Sequence, residues 1–275
     1  MSQTAPSNRP ESEETAGLHD RIRARLDRVT DPELDESILE LGYIDAIELD
    51  ERTATLRFTL PTAWCSPAFA WMMAVDARDE LESLPEIDEA RIELRDHMHE
   101  REINEGVNGR LPFADAFPDA DGEVRSVRAT LDDKARLSRQ YLAVERLVDA
   151  GLSPEQIVAL TPADLRFDPD VDPRMDGARA SIALGDGAFS VSVPARPLDR
   201  YLRKARDVGH ATSDDDPLFL TPEGEPIEVE AFELVRRRGR LARTNVTGQG
   251  GVCDALNEQR RAKLDRDGPV IVEAD

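Results

Sequence analysis

Within its first hundred residues the chain switches its apolar period from helical to alternating and back, which constrains the fold more than any other feature. Leu18, Ile22 and Leu26 fall four residues apart, on one face of a short helix. A second short helix is expected through Ile38 and Leu41, stopped by Gly42. From Tyr43 to Leu49 and from Thr53 to Leu60 the pattern alternates, with Asp50-Glu51-Arg52 between, which predicts a β-hairpin. Phe69, Met73, Ala77, Leu81 and Leu84 return to helical spacing, with Asp76, Arg78, Asp79, Glu80 and Glu82 as the wet face. Glu89 to Leu94 reads as a third strand. The order helix, strand, strand, helix, strand describes a compact α/β (α+β) sandwich of roughly 85 residues, an ordinary domain size.

The 275-residue chain exceeds that size, so more than one domain is expected. Residues 1–16, rich in Ser, Thr, Pro and Glu, read as a disordered acidic tail. Residues 17–110 form the sandwich, 111–127 a linker, and 128–275 a mixed, mainly helical domain that binds a partner. In that second domain Leu137, Tyr141, Val144 and Val148 make one apolar stripe, and Ser153-Pro154-Glu155-Gln156 is a capping box. Gly185-Asp186-Gly187 marks a hairpin, Leu218-Phe219-Leu220 a short strand, and Glu228 to Leu241 a further helix.

Charge narrows the function. The net charge is −22, and lysine occurs only at Lys134, Lys204 and Lys263. Such a surface repels phosphate backbones and anionic membranes and suits a halophilic source. The chain shows no apolar run of ~20 residues and no signal-peptide core, so the expected location is the cytoplasm. Arg236-Arg237-Arg238-Gly239-Arg240 is the one basic patch. It reads as a solvated helix face or a contact for an acidic protein.

Chemistry centres on Cys65, one of only two cysteines. Pro61-Thr62-Ala63-Trp64-Cys65-Ser66-Pro67 runs into the long helix with Ser66 at N-cap and Pro67 at the first helical position. A thiol just outside a helix N-terminus is favoured as thiolate, the form that attacks electrophiles and ligates soft metals. A small buried apolar role is the bland alternative. For Asp31 and Glu33 capping and loop hydrogen bonding compete with a ligand role.

Asp31-Pro32-Glu33-Leu34, then Leu41-Gly42-Tyr43-Ile44, then the hairpin, then Cys65 before its helix, is a series that resembles one family of iron–sulfur cluster assembly domains. That family includes PaaD of phenylacetate degradation and the SufT-like proteins, and the resemblance covers about residues 18 to 108. It implies cluster assembly or delivery to client enzymes, with Cys65 as the functional thiol and Asp31 and Glu33 shaping the same face. It also implies a transient iron–sulfur cluster as the cofactor, and a client metalloenzyme and other assembly proteins as partners. The family usually has proline directly after the cysteine; here Ser66 intervenes.

His97 and His99 follow the third strand and would point the same way if that strand continued, which makes them candidate metal ligands. A loop whose His and Asn bond local backbone is the competing reading of residues 96–108. Cys253, near Gly248-Gln249-Gly250-Gly251, is a second ligand or a structural thiol. Gly151 to Leu160, the Gly185 hairpin and Pro217 to Gly224 resemble the tyrosine recombinase pattern without its catalytic residues: Ser153 stands at the first arginine position, and no His-x-x-Arg occurs. That resemblance implies a catalytically dead domain reused for protein contact.

The combined expectation is a maturation factor, not an enzyme, that helps install an iron–sulfur or iron centre in a client, an oxygenase among the candidates. One thiol per chain is too few for a four-ligand cluster, so a homodimer is one arrangement to consider. The rivals are an adapter that binds no metal and a Cys-dependent enzyme with His97 or His99 as base.

Overall fold

The computed structural model describes residues 13–120, 124–185, 187–245 and 270–273. Residues 1–12 of the expected tail, the tip residue Asp186 and the segment with Cys253 lie outside them. The fold is mixed α/β, as the periodicity predicts, and the chain divides into two compact units, 1–124 with 251–275, and 125–250. Among the described residues no helix is long and apolar enough to cross a membrane.

The first unit contains α1 (Glu13–Leu26), a minor hairpin of β1 (Thr30–Asp31) and β2 (Glu36–Ser37), then β3 (Ile44–Asp50), β4 (Thr53–Thr59), α2 (Pro67–Glu82), β5 (Glu89–Arg95), α3 (Glu100–Asn108) and α4 (Phe113–Ala116). The main sheet has the order β5-β4-β3-β9, where β9 is Val270–Glu273. β3 and β4 form the expected hairpin, turning tightly at Glu51-Arg52. β4 and β5 are parallel, joined through α2 as parallel neighbours require. Alternation along the strands divides the sheet into two faces. Ile47, Leu49, Ala54, Leu56, Phe58, Ile92 and Leu94 are buried in one core with Ile22 and Leu26 of α1 and Ala70, Met73, Ala74, Ala77 and Leu81 of α2. On the other face Arg57 bridges Glu48 of β3 and Glu93 of β5, the latter at 2.7 Å. These carboxylates hold the guanidinium charged, and the partly exposed network adds little stability.

No helix forms through Ile38 and Leu41. The segment is instead the minor hairpin and a series of turns, because its amides find other partners, Ile38 N on Val29 O (3.0 Å), Leu39 N on Ser37 Oγ (3.2 Å) and Gly42 N on Leu39 O (3.0 Å), and Asp31 fixes the turn before it. Asp31 Oδ1 accepts from the amides of Glu33 (2.8 Å) and Leu34 (3.1 Å), and Oδ2 accepts from the Tyr43 hydroxyl (3.0 Å). Short carboxylates that bond nearby amides favour turns over helix in this way. The DPEL and LGYI elements are thereby tied into one buried knot, entered through Gly42 in the left-handed region (φ 67). Replacing Tyr43 by Phe should lower the stability of this unit by about 1–3 kcal/mol, since it removes the hydroxyl that donates to a buried carboxylate. Urea unfolding followed by tryptophan fluorescence measures it, because both tryptophans of the chain, Trp64 and Trp71, stand in this unit.

α3 closes the outer edge of β5 without a strand. Asn104 Oδ1 accepts from Leu94 N (2.8 Å) and its Nδ2 donates to Leu94 O (2.9 Å). Asn108 makes the same pair with Ile92, at 2.8 and 2.9 Å. The match is geometric: four helical residues advance about 6 Å and two strand residues about 6.6 Å, so two asparagines one turn apart face alternate strand residues.

In the second unit α5 (Val124–Asp149) is followed by α6 (Pro154–Val158), β6 (Leu165–Phe167), β7 (Arg179–Leu184), β8 (Phe189–Pro194) and α7 (Ala195–Asp207), then a helix, α8, over 232–245. The three strands form one antiparallel sheet in the order β6-β7-β8. Ser153 and Gln156 make both bonds of the capping box. The Leu218–Leu220 stretch, expected as a strand, makes only an isolated bridge from Leu220 to Pro226. Side chains meet its backbone instead: Tyr201 Oη donates to Leu218 O (2.6 Å) and Gln140 Nε2 to Leu220 O (2.8 Å).

Candidate functional site

Cys65 lies at the mouth of α2, on a loop that joins the end of β4 to that helix. Pro67 occupies the first turn and Ser66 stands at N-cap, but the Ser66 hydroxyl makes no capping bond. Its carbonyl instead accepts from the Phe69 (3.0 Å) and Ala70 (3.1 Å) amides. The positive end of a 16-residue helix is therefore not neutralised by a side-chain cap. Cys65 is half-buried and packs against the core of the first unit, while Trp64 beside it is 72% exposed.

The loop is held from the far end of β5. That strand stops at Arg95, and Asp96 takes a left-handed backbone (φ 56), with its amide on Glu100 Oε2 at 2.9 Å. The chain then turns back toward Cys65. The Met98 amide donates to Ala63 O (2.8 Å), and His97 Nε2 lies 3.0 Å from Cys65 O. His97 Nδ1 accepts from the His99 amide at 3.1 Å. A ring nitrogen that accepts carries no proton, so the geometry assigns the proton to Nε2, which donates to Cys65 O. Burial keeps the His97 imidazole below the ordinary histidine value; its bond to the Cys65 carbonyl opposes this, and the neighbouring His99 reinforces it. His97 is thus a neutral ring with each nitrogen bonded to backbone.

His99 sits at the N-cap of α3, and its ring meets Phe117 edge-on at 5.4 Å. Phe117 stacks on Phe113 (4.8 Å), and both pack edge-on against Trp71 of α2 (6.2 and 5.5 Å). Gly106 of α3 completes this cluster: a Cβ there would lie 2.6 Å and 2.7 Å from two carbons of the Trp71 ring.

Of the residues singled out in the sequence, the structure joins His97 to Cys65 directly. It places His99 one turn away, on an aromatic cluster, and Asp31 in the knot with Tyr43. The two histidines do not share a strand face, because β5 ends before them. Glu33 gives its amide to Asp31 and is half-buried. Among the described residues no group of three or more His, Cys, Asp or Glu could hold a metal ion. Sequence reasoning missed the clamp made by His97 and Met98 on residues 63–65. Its only local trace is a polar run directly after an apolar strand.

Residues 19–94 fit the family model described as iron–sulfur cluster assembly protein, so the N-terminal unit carries a domain of that kind. The matched segment holds the Asp31 knot, the hairpin, Cys65, α2 and nearly all of β5. No curated protein matches the chain.

Proposed function

We propose that this protein assembles or delivers iron–sulfur clusters to client enzymes, with Cys65 as the thiolate that holds the cargo in passage. The observation that carries the reading is the position of Cys65: within the segment that fits the cluster assembly family, at the electropositive mouth of α2, on a loop whose carbonyls are held by the His97 ring and the Met98 amide. A cluster is cargo here. The chain has two cysteines in all, so a four-thiolate cluster needs ligands from a second molecule, a client or another copy of this chain. Release is then ligand exchange. A client thiolate takes the iron site that Cys65 Sγ vacates, Cys65 takes up the proton the client thiol gave up, and no atom changes oxidation state. The exposed Trp64 and Met98 beside the thiol leave the approach open to a protein surface.

Transfer tests the reading. Protein loaded anaerobically with ferrous iron and sulfide should convert apo-ferredoxin to the holo form, and Cys65→Ser should lose that transfer. A Cys65→Ser variant that loads and transfers at the wild-type rate would overturn the role of Cys65 as the thiolate that holds the cargo.

A further inference from the structure

We infer that His97 is a positioning residue for Cys65, and not a ligand of the cargo. The inference rests on the reading of Cys65 as the working thiol, but its geometry stands by itself. His97 is 8% exposed and sits between two backbone groups, donating from Nε2 to Cys65 O and accepting at Nδ1 from the His99 amide. Binding iron through either nitrogen would break one of these bonds and leave a backbone group without its partner in a half-buried turn. Kept intact, the two bonds run as a chain from the first turn of α3, through the imidazole, to the carbonyl of the cysteine. The parallel bond from Met98 N to Ala63 O holds the same loop two residues earlier. With Ser66 making no side-chain cap, these cross-links from the β5–α3 turn set where Cys65 stands relative to the α2 amides. A thiolate is stabilised by that helix end only within about its first turn, so the position of the loop governs its reactivity.

The two halves of the clamp can be separated by substitution. In His97→Asn the amide oxygen falls near the Nδ1 position and still accepts from His99 N, but the shorter side chain no longer donates to Cys65 O. In His97→Gln the longer side chain places an N–H near the Nε2 position and restores the donor to Cys65 O. The readout is the alkylation rate of the folded protein by iodoacetamide, in a Cys253→Ser background so that one thiol reports, with circular dichroism confirming the fold. We expect His97→Asn to slow alkylation by about fivefold, the change that one lost loop hydrogen bond corresponds to. His97→Gln should stay within about twofold of wild type, since the donor is kept. Wild-type rates in both variants would overturn the inference, as would equal slowing in both, which marks a merely structural role. Loss of bound iron in both variants with unchanged alkylation would make His97 a ligand and overturn it too. Because alkylation needs no iron, a protein that never loads a cluster refutes the transfer reading without touching this result.

Discussion

Replacing Asn104 by Ala should cost the N-terminal unit about 2–4 kcal/mol, because one side chain carries two backbone bonds of an edge strand and a buried backbone group left unpaired costs about 1–3 kcal/mol. Leu94, whose amide and carbonyl would both lose their partner, is fully buried, so little water reaches its side of the edge to compensate. The isosteric Asn104→Asp separates hydrogen bonding from packing. It keeps an acceptor for Leu94 N but turns a carboxylate oxygen on Leu94 O, so at neutral pH it should be as damaging as Ala. Its deficit should shrink on acidification, as the protonated carboxyl again donates to Leu94 O. A double change at Asn104 and Asn108 should exceed either single one and leave β5 an exposed edge prone to pair with other chains. Urea unfolding read by tryptophan fluorescence measures all three; an Asn104→Ala protein within 0.5 kcal/mol of wild type, inside the range of ordinary surface changes, would contradict the edge-sealing role.

The second large effect is expected at Gly106. A methyl there would meet Trp71 ring carbons at 2.6 and 2.7 Å, well inside van der Waals contact. The ring is 6% exposed and is packed edge-on by Phe113 and Phe117, so it cannot swing away cheaply. Alanine would otherwise gain about 1 kcal/mol over glycine in a helix. Overpacking of about 1–3 kcal/mol opposes that gain, so Gly106→Ala should be neutral to moderately destabilising, and Gly106→Val, which loses the propensity gain and adds two more methyls, destabilising by about 2–4 kcal/mol. Trp71→Phe in the Gly106→Ala background should restore part of the loss by removing the ring atoms in conflict. No restoration in that double variant would show that the strain lies elsewhere.

Elements whose pattern is local were legible in the sequence. The β3–β4 hairpin follows from strict alternation, α2 from its apolar spacing with Pro67 at its start, and the Ser153 cap from its residue types. The fold class and the cluster assembly resemblance of the N-terminal unit rested on such local order. Features that depend on a partner remote in sequence were not legible. β9, which adds in parallel to β3, comes from the far end of the chain, in a region the sequence reading assigned to the second domain. The asparagines of α3 carry a visible one-turn spacing, yet only the neighbouring strand edge gives it meaning. The Leu218–Leu220 run has strand-like residues, but its carbonyls are taken by Tyr201 and Gln140 from helices α7 and α5. At the site, the helix-mouth position of Cys65 could be read directly. The link to His97 could not, because it needs the left-handed turn at Asp96 that ends β5 and brings the ring back.

Iron with acid-labile sulfide per chain, in protein purified and reconstituted without oxygen, tests most directly whether Cys65 holds the cargo. Wild type should carry both, and Cys65→Ser, with its circular dichroism unchanged, should carry neither. Iron-free wild type after reconstitution, or a Cys65→Ser protein that keeps the wild-type iron and sulfide, would contradict that role.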